Sequence, residues 1–459
     1  MDWPGFFVFG CLCHLLSTMN RPRPMIRRDL HVLLWILSAA ASQWVSAASG
    51  PTVFFNEAGG VRLRTLAENP NNPGAACGTF GRLSPDADYA LIVTYCSLDT
   101  TSDVGGQDLY LVSDINPPQL ITKTLSGQAI GGNFFGQLQG ARFSKNRRWV
   151  TFPSSRPDIV AGAQNIYSQI YLWGLDGSGV VRVSETVTSH PGIGDSLGGF
   201  PADDGAQVLL ETTAVNLIAP PPDVSGTRFV RRQMFPTHSL AQVPACGEFG
   251  GTLASYDHDA ERALIRLCVT DPTTGTAQWN LLRQAPNWQN IEYAFDEDGN
   301  PIEVWNVEDA ARGKALLVRE RLIANGSPVP GRLYARILDQ ERSVNLGFAQ
   351  AALLSDDLSS AVLVQAVSDG ASPWYTLQQK NLQDGRVRDI PLGRSPLPGS
   401  LGFQSLTLYD LSASGQFVLL GLESSDTPLA GDWVGGASQR LVVMASLDLD
   451  VIFQSGFPL

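Results

Sequence analysis

GRLSPDADYALIV, residues 81–93, places a short apolar strand before a polar turn and a second apolar strand after it. Polar and apolar residues alternate along its arms, and Ser-Pro-Asp between them is turn chemistry. The form returns six times: ARFSKNRRWVTF (141–152), GFPADDGAQVLL (199–210), TLASYDHDAERALI (252–265), WNVEDAARGKALLV (305–318), ALLSDDLSSAVLV (352–364) and LYDLSASGQFVLL (408–420). The second strands open at 89, 149, 207, 262, 314, 360 and 416, a mean spacing of about 55 residues.

Each copy is followed, after a loop, by a third strand: DLYLVSD, QIYLWGLD, RFVRRQMF, AQWNLLRQ, RLYARILD, PWYTLQQKN and QRLVVMASL. A turn and a fourth strand come next, as in PQLITKTL and GVVRVSE. Four short antiparallel strands repeated at this period predict an all-β chain folded as a single β-propeller over residues 48–459. Stacked blades supply the core that one such unit lacks. A row of separate β-sandwich domains is the competing reading, and it needs Greek-key spacing. TVFFNEAGGVRLRTL, residues 52–66, looks like strands three and four of a unit without its first hairpin. Propellers commonly close by pairing chain-terminal strands within one blade, which protects the sheet edges. Seven first hairpins predict seven blades; this leftover piece keeps eight open.

The serine–acidic turn, followed by an Ile-Tyr-Leu type strand, resembles the TolB-like (WD-repeat-like) propeller repeat of exported bacterial proteins. The clearest unit is residues 141–185, and the likeness runs over most of residues 81–449. The repeat's Ser-Pro-Asp-Gly turn survives as Ser84-Pro85-Asp86 and Asp203-Asp204-Gly205. The resemblance implies a fold and an export route, and no single function.

The N-terminus agrees with export. MIRRDLHVLLWILSAAASQWVSAASG, residues 25–50, has a positive start at Arg27-Arg28, an apolar segment Val32–Ala41 and a small-residue site Val45-Ser46-Ala47. That is a secretory signal in all three parts, with cleavage between Ala47 and Ala48. An uncleaved anchor is the alternative, and N-terminal sequencing separates the two. Met19 or Met25 is then the start, and Cys11 and Cys13 are absent from the mature chain. Residues 1–47 hold four of the 32 Lys/Arg and two of the 44 Asp/Glu, so 28 and 42 remain, a net charge of −14. Such a surface repels phosphate backbones and disfavours nucleic-acid binding.

Four cysteines remain. ACGTFGRLSPDADYALIVTYC (76–96) and ACGEFGGTLASYDHDAERALIRLC (245–268) are one skeleton, each with a cysteine before strand one and another at the end of strand two. Those places are neighbours in a hairpin, which predicts the disulfides Cys77–Cys96 and Cys246–Cys268, each stabilising by about 3 kcal/mol in the chain-entropy model. The loops between strands two and three and between blades are long and share one face; SSRPDIVAGAQNIYS and SHPGIGDSLGG are examples. Binding is expected there.

Several short motifs invite a catalytic or metal reading. Gly194-Asp195-Ser196-Leu197-Gly198 matches a nucleophile elbow, but no helical stretch follows it. Ser196 is therefore expected in an inter-blade loop, with only His190, His238 and His258 in the mature chain to act as base. Asp296-Glu297-Asp298-Gly299-Asn300 misplaces the glycine of a calcium loop, and AFDEDGNPIEVW reads as strand–turn–strand. Asp257-His258-Asp259 offers too few zinc ligands. Asn325-Gly326-Ser327 is a glycosylation sequon. Trp279, Trp288 and Trp305 could stack on sugars, though packing between blades is the simpler role.

The sequence thus predicts a periplasmic or extracellular, monomeric, non-catalytic propeller that binds a protein or cell-envelope ligand by its long-loop face. It predicts no cofactor, no metal and no membrane span after signal removal. A hydrolase or lyase using carboxylates around the axis and a carbohydrate-binding propeller are the alternatives.

Overall fold

The computed structural model describes residues 53–55, 62–65, 78–98, 106–113, 116–127, 137–162, 166–202, 205–218, 228–234, 239–243, 251–256, 263–270, 277–284, 289–291, 294–311, 314–368, 373–390, 405–424 and 439–447. The signal segment with Ala47 and Ala48 lies outside the described residues. Among the described residues no helix is long and apolar enough to cross a membrane.

Two strands come first, β1 (Val53–Phe55) and β2 (Arg62–Thr65). The first blade is β3 (Gly78–Leu83), β4 (Tyr89–Thr94), β5 (Asp108–Ser113) and β6 (Gln119–Leu120). The second is β7 (Arg142–Phe143), β8 (Trp149–Ser154), β9 (Gln169–Gly174) and β10 (Gly179–Arg182). The third is β11 (Ser196–Pro201), β12 (Gln207–Thr212), β13 (Arg228–Gln233) and β14 (Ser239–Val243). The fourth is β15 (Gly251–Tyr256), β16 (Ala263–Thr270), β17 (Ala277–Gln284) and β18 (Gln289–Ile291). The fifth is β19 (Val304–Ala311), β20 (Ala315–Ala324), β21 (Ser327–Ile337) and β22 (Arg342–Gly347). The sixth is β23 (Ala351–Leu354), β24 (Ser360–Ser368), β25 (Pro373–Asn381) and β26 (Val387–Ile390). The last sheet contains β27 (Ser405–Leu411), β28 (Phe417–Ser424) and β29 (Gln439–Ser446).

Each of the six sheets is a four-stranded antiparallel meander, so the fold is an all-β propeller and not a row of sandwiches. First strands sit beside first strands: β3 packs against β7 and β27, β23 against β19 and β27. They therefore form the inner ring. The last sheet runs β1-β2-β29-β28-β27 and pairs Arg62 with Ser446. β1 and β2 thus close the ring within one blade, as chain-terminal strands of a propeller are expected to do, and are not strands three and four of a unit of their own. They add a fourth and a fifth strand to the sheet of the last hairpin, because the unpaired edge of β29 is the place that takes them.

Two-residue alternation explains why the strands read as nearly continuous apolar runs. Leu91 and Val93 pack with Val150 and Phe152 of the second blade. Ala90 and Ile92, on the opposite face of the same strand, pack with Leu419 of the last. Likewise Tyr171 and Trp173 join the core shared with the first blade, Ile170 and Leu172 the core shared with the third. Every strand that is flanked by blades on both sides needs apolar residues on both faces.

The turn that marks each unit has a physical logic. Ser84 Oγ donates to Asp86 Oδ1 at 2.8 Å, and Tyr89 N donates to Ser84 Oγ at 3.0 Å. Ser144 with Asn146 and Ser355 with Asp357 repeat the pair at 2.8 and 2.7 Å. The fourth turn residue is left-handed: Ala87 (φ 64°), Arg147 (61°), Gly205 (69°), Leu358 (56°) and Gly415 (70°). At Gly205 a Cβ would also stand 2.3 Å from Trp149 Nε1 of the preceding blade, so glycine is required twice over. The turns touch one another around the ring. Ala413 N donates to Pro85 O at 2.8 Å, Asp357 N to Ala413 O at 3.3 Å, and Arg147 pairs with Asp86 and Asp88. Ala87→Gly relieves a left-handed residue that carries a methyl group, and is expected to stabilise by about 0.5–1 kcal/mol. Urea denaturation measures it; a loss would mean that the methyl's packing outweighs the backbone term.

In the fifth blade the second and third strands run on past the sheet into a two-residue turn, Asn325 (φ 52°) and Gly326 (φ 77°), where a longer loop was expected. The sequon thus occupies the tip of a projecting arm. Pro328 and Pro330 face Ile323 and Arg321 across it. Counted from the turn, these are the pairs whose amides point outward, so proline there removes a free edge donor.

Candidate functional site

Antiparallel order places turns one–two and three–four at one end of each sheet, and loops two–three with the inter-blade connectors at the other. At this second end, between the second and third blades, the loops are bound into a dense polar lattice. Ser168 N donates to Asp195 Oδ1 at 2.8 Å, and Ser168 Oγ to Ser196 O at 3.0 Å. Ser184 Oγ donates to Gln169 Oε1 at 2.8 Å, while Gln169 Nε2 donates to Gly192 O at 3.2 Å. Ile193 N donates to Asn216 Oδ1 at 2.5 Å, and Val215 N to Ile193 O at 3.1 Å. Buried amides and carbonyls are satisfied here by side chains, which fixes loops that lack a ladder of their own.

Three apolar side chains stand exposed on the outer surface of that lattice, beside polar ones such as His190 and Asp195. Ile193, Leu197 and Val215 are 54%, 52% and 44% exposed. Tyr95, Leu125, Ile166 and Val187, also exposed, lie on the same end of the first two blades. Leu125 N donates to Asp158 O at 3.1 Å, tying the connector of the first blade to the loop of the second.

Beneath the rim sits a charged group. Arg232, 1% exposed, donates from Nη1 to Glu185 O at 2.9 Å and stands 3.6 Å from its carboxylate. Arg182 Nη2 lies 3.3 Å from Glu185 Oε2 and donates to Ser189 O. Burial pulls Arg232 below the ordinary arginine value, and Glu185 opposes this. Nearby Tyr171 is pushed up to about 12 by burial; Arg182 works against that shift and Asp158 adds to it. Its hydroxyl donates to Arg156 O at 3.1 Å and stays neutral at physiological pH. The sequence reading passed over this group. The alternation in GVVRVSE, which sets Arg182 on the face of Val180, was the available signal.

Ser196 is not in a loop: it opens β11. It is fully buried, and its hydroxyl lies 2.8 Å from Thr212 Oγ1. The expectation failed because Ser-Leu-Gly-Gly lacks strand-forming side chains. Small residues are needed there, since a Cβ on Gly199 would stand 2.5 Å from Ile170 Cγ2. His190 is exposed, and its amide donates to Thr186 Oγ1 at 3.1 Å. Asp296 caps its own turn, accepting from Asn300 N at 2.7 Å and Asn300 Nδ2 at 3.0 Å. Those bonds, the Asn300 side chain first, hold its carboxyl below the usual range. Around it the expected strand–turn–strand contracts to a bridge between Phe295 and Pro301. Among the described residues no three His, Cys, Asp or Glu side chains stand together as a metal site. Trp305 is 43% exposed on β19. His238, Asp257, His258, Asp259, Trp288, Cys77 and Cys246 lie outside the described residues, as do the side chains of Trp279 and Cys268. Cys96 is disulfide-bonded.

The other end carries a second feature, a cavity of about 460 Å³ between the sixth blade and the last. Arg386, Arg388, Gln379, Asn381, Ser359 and Ser414 are among its walls.

No protein-family model matches the chain, and no curated protein matches it. Solved structures do. Oligogalacturonate lyase from Vibrio parahaemolyticus superposes with a TM-score of 0.54 at 11% identity, over 86% of this chain and 96% of that one. The β-propeller domain of the Trilobed protease from Pyrococcus furiosus gives 0.45 at 11% identity, over 76% and 92%. Acylaminoacyl peptidase from Pyrococcus horikoshii gives 0.46 at 10% identity, over 86% and 56%. At such identities the first likeness is one of fold alone, and the TolB-like resemblance narrows to the β-propeller.

Proposed function

We propose that the chain is an exported, non-catalytic, seven-bladed propeller that binds a protein ligand through the long-loop rim of its first three blades. The observation that carries the reading is the group Ile193, Leu197 and Val215, half exposed on a backbone locked by side-chain hydrogen bonds. Solvated apolar side chains on a fixed frame bind at little ordering cost, because the frame is already set. Support for the blade count comes from β1 and β2, which join the last sheet and, among the described residues, leave no strands over for an eighth. Support for export comes from the signal-shaped segment 25–47 and from bonded Cys96, which fits the pair Cys77–Cys96 beside Cys246–Cys268. The Ser196 hydroxyl is engaged by Thr212, and the carboxylates of Asp195 and Asp296 by backbone amides, so these groups serve structure.

The test is a capture experiment. Mature protein is immobilised and exposed to envelope extract of its source, beside Ile193→Asp/Val215→Asp and a control, Phe348→Asp, on the connector between the fifth and sixth blades. The expected result is a saturable partner lost from the double variant by about a hundredfold in affinity, as for a desolvated apolar anchor. The control should retain it, and all three proteins should melt together. Undiminished capture by the double variant would reject the rim.

A further inference from the structure

The cavity between the sixth and last blades lies on the short-turn face, opposite the rim. We propose that it is a binding site for a small hydroxylated molecule bearing an oxyanion, either carboxylate or phosphate. The charge of its walls is the first ground. Among the described residues two arginines and no carboxylate line it, in a chain whose net charge is −12. Arg386 directly precedes β26 and Arg388 lies in it, two residues on, so the strand period sets both on one side. Asp384 Oδ2 lies 3.4 Å from Arg386 Nε, and neither terminal nitrogen of that guanidinium makes a hydrogen bond among the described residues.

The second ground is preorganisation. Arg388 Nε donates to Gln379 Oε1 at 2.8 Å, and Nη2 donates to Leu447 O. Its remaining nitrogen, Nη1, makes no hydrogen bond among the described residues. Gln379 in turn donates from Nε2 to Gly415 O at 3.1 Å. The guanidinium is thereby clamped between two blades, with its open corner set in advance. A planar fork held this way suits the two oxygens of a carboxylate or phosphate. Asn381 Oδ1 accepts from Gln383 N at 2.7 Å, which leaves its amide nitrogen as a donor. With the hydroxyls of Ser359 and Ser414 it supplies partners for a ligand's own hydroxyls. At about 460 Å³ the space falls in the size range of small-molecule sites.

The experiment titrates the mature protein, by calorimetry at constant ionic strength, with inorganic phosphate, glycerol 3-phosphate, glycerate and glycerol. Glycerol should not bind. At least one oxyanion should bind below about 10 mM, and which one does so distinguishes free phosphate from a phosphorylated or a carboxylated compound. Arg386→Gln removes a charge from an exposed side chain, and Arg388→Lys keeps a donor for Leu447 O. Each should weaken binding by about tenfold or more while the unliganded melting temperature holds. No binding of any oxyanion to about 10 mM, or equal binding by both variants, would overturn the proposal.

Discussion

Glu185→Ala is expected to cost about 3–5 kcal/mol of folding free energy. Glu185 is the carboxylate that serves both Arg182 and Arg232, at 3.3 and 3.6 Å, and their side chains are 6% and 1% exposed. Removing it takes the shared carboxylate from two buried guanidiniums, and part of the desolvation already incurred is no longer offset. Arginine cannot escape by losing its proton near neutral pH. Glu185→Gln keeps one acceptor oxygen, turns an amide NH2 toward the other guanidinium and loses the charge, so it should cost less than the alanine without being neutral. Urea melts of the two variants check the ordering. A Glu185→Ala protein within about 0.5 kcal/mol of wild type would mean that water reaches the arginines. Because the group lies under the rim, loss of binding in this variant reports on stability, whereas Ile193 and Val215 report on the surface itself.

Deleting residues 51–66 should have the other large effect. The deletion strips β2 from β29, from Arg62↔Ser446 to Thr65↔Val443, and β1 with it. Roughly four ladder hydrogen bonds at about 0.5–1.5 kcal/mol each give a loss of about 2–6 kcal/mol. The new edge adds a second penalty: one side of β29 is newly opened over Val443–Ser446, while its other side stays paired to β28. The expected product is a protein with a lowered melting temperature that associates as its concentration rises. Sedimentation at several concentrations tests this, and a monomer of unchanged stability would show that β1 and β2 are dispensable.

The inner hairpins were legible because their information is local. Ser84, Asp86 and the left-handed Ala87 make their turn from residues within one hairpin, and Ser144 and Ser355 repeat it. Predicted strand openings at 89, 149 and 360 coincide with β4, β8 and β24. What depends on distant residues was not legible. Ser196–Pro201 is a strand because the second blade lies against it, and its glycines record that proximity without announcing a strand. In RERLIANGSPVPGRL the sequence reading took only the sequon and missed the hairpin that Asn-Gly makes, in which both prolines sit where amides face outward. The cavity is assembled from residues between Ser359 and Leu447, in separate strands and turns, and no single stretch contains it.

The last sheet sets a clock on biogenesis. Arg62 finds its partner in Ser446, so β2 must wait for nearly the whole chain to be made. At about 5–20 residues per second the gap of some 380 residues takes roughly 20–80 s. During that interval six sheets can form in the order of synthesis while the earliest strand stays unpaired. The earliest strands of the propeller are the last to be placed, and a nascent chain stalled anywhere before β29 has no way to finish the ring.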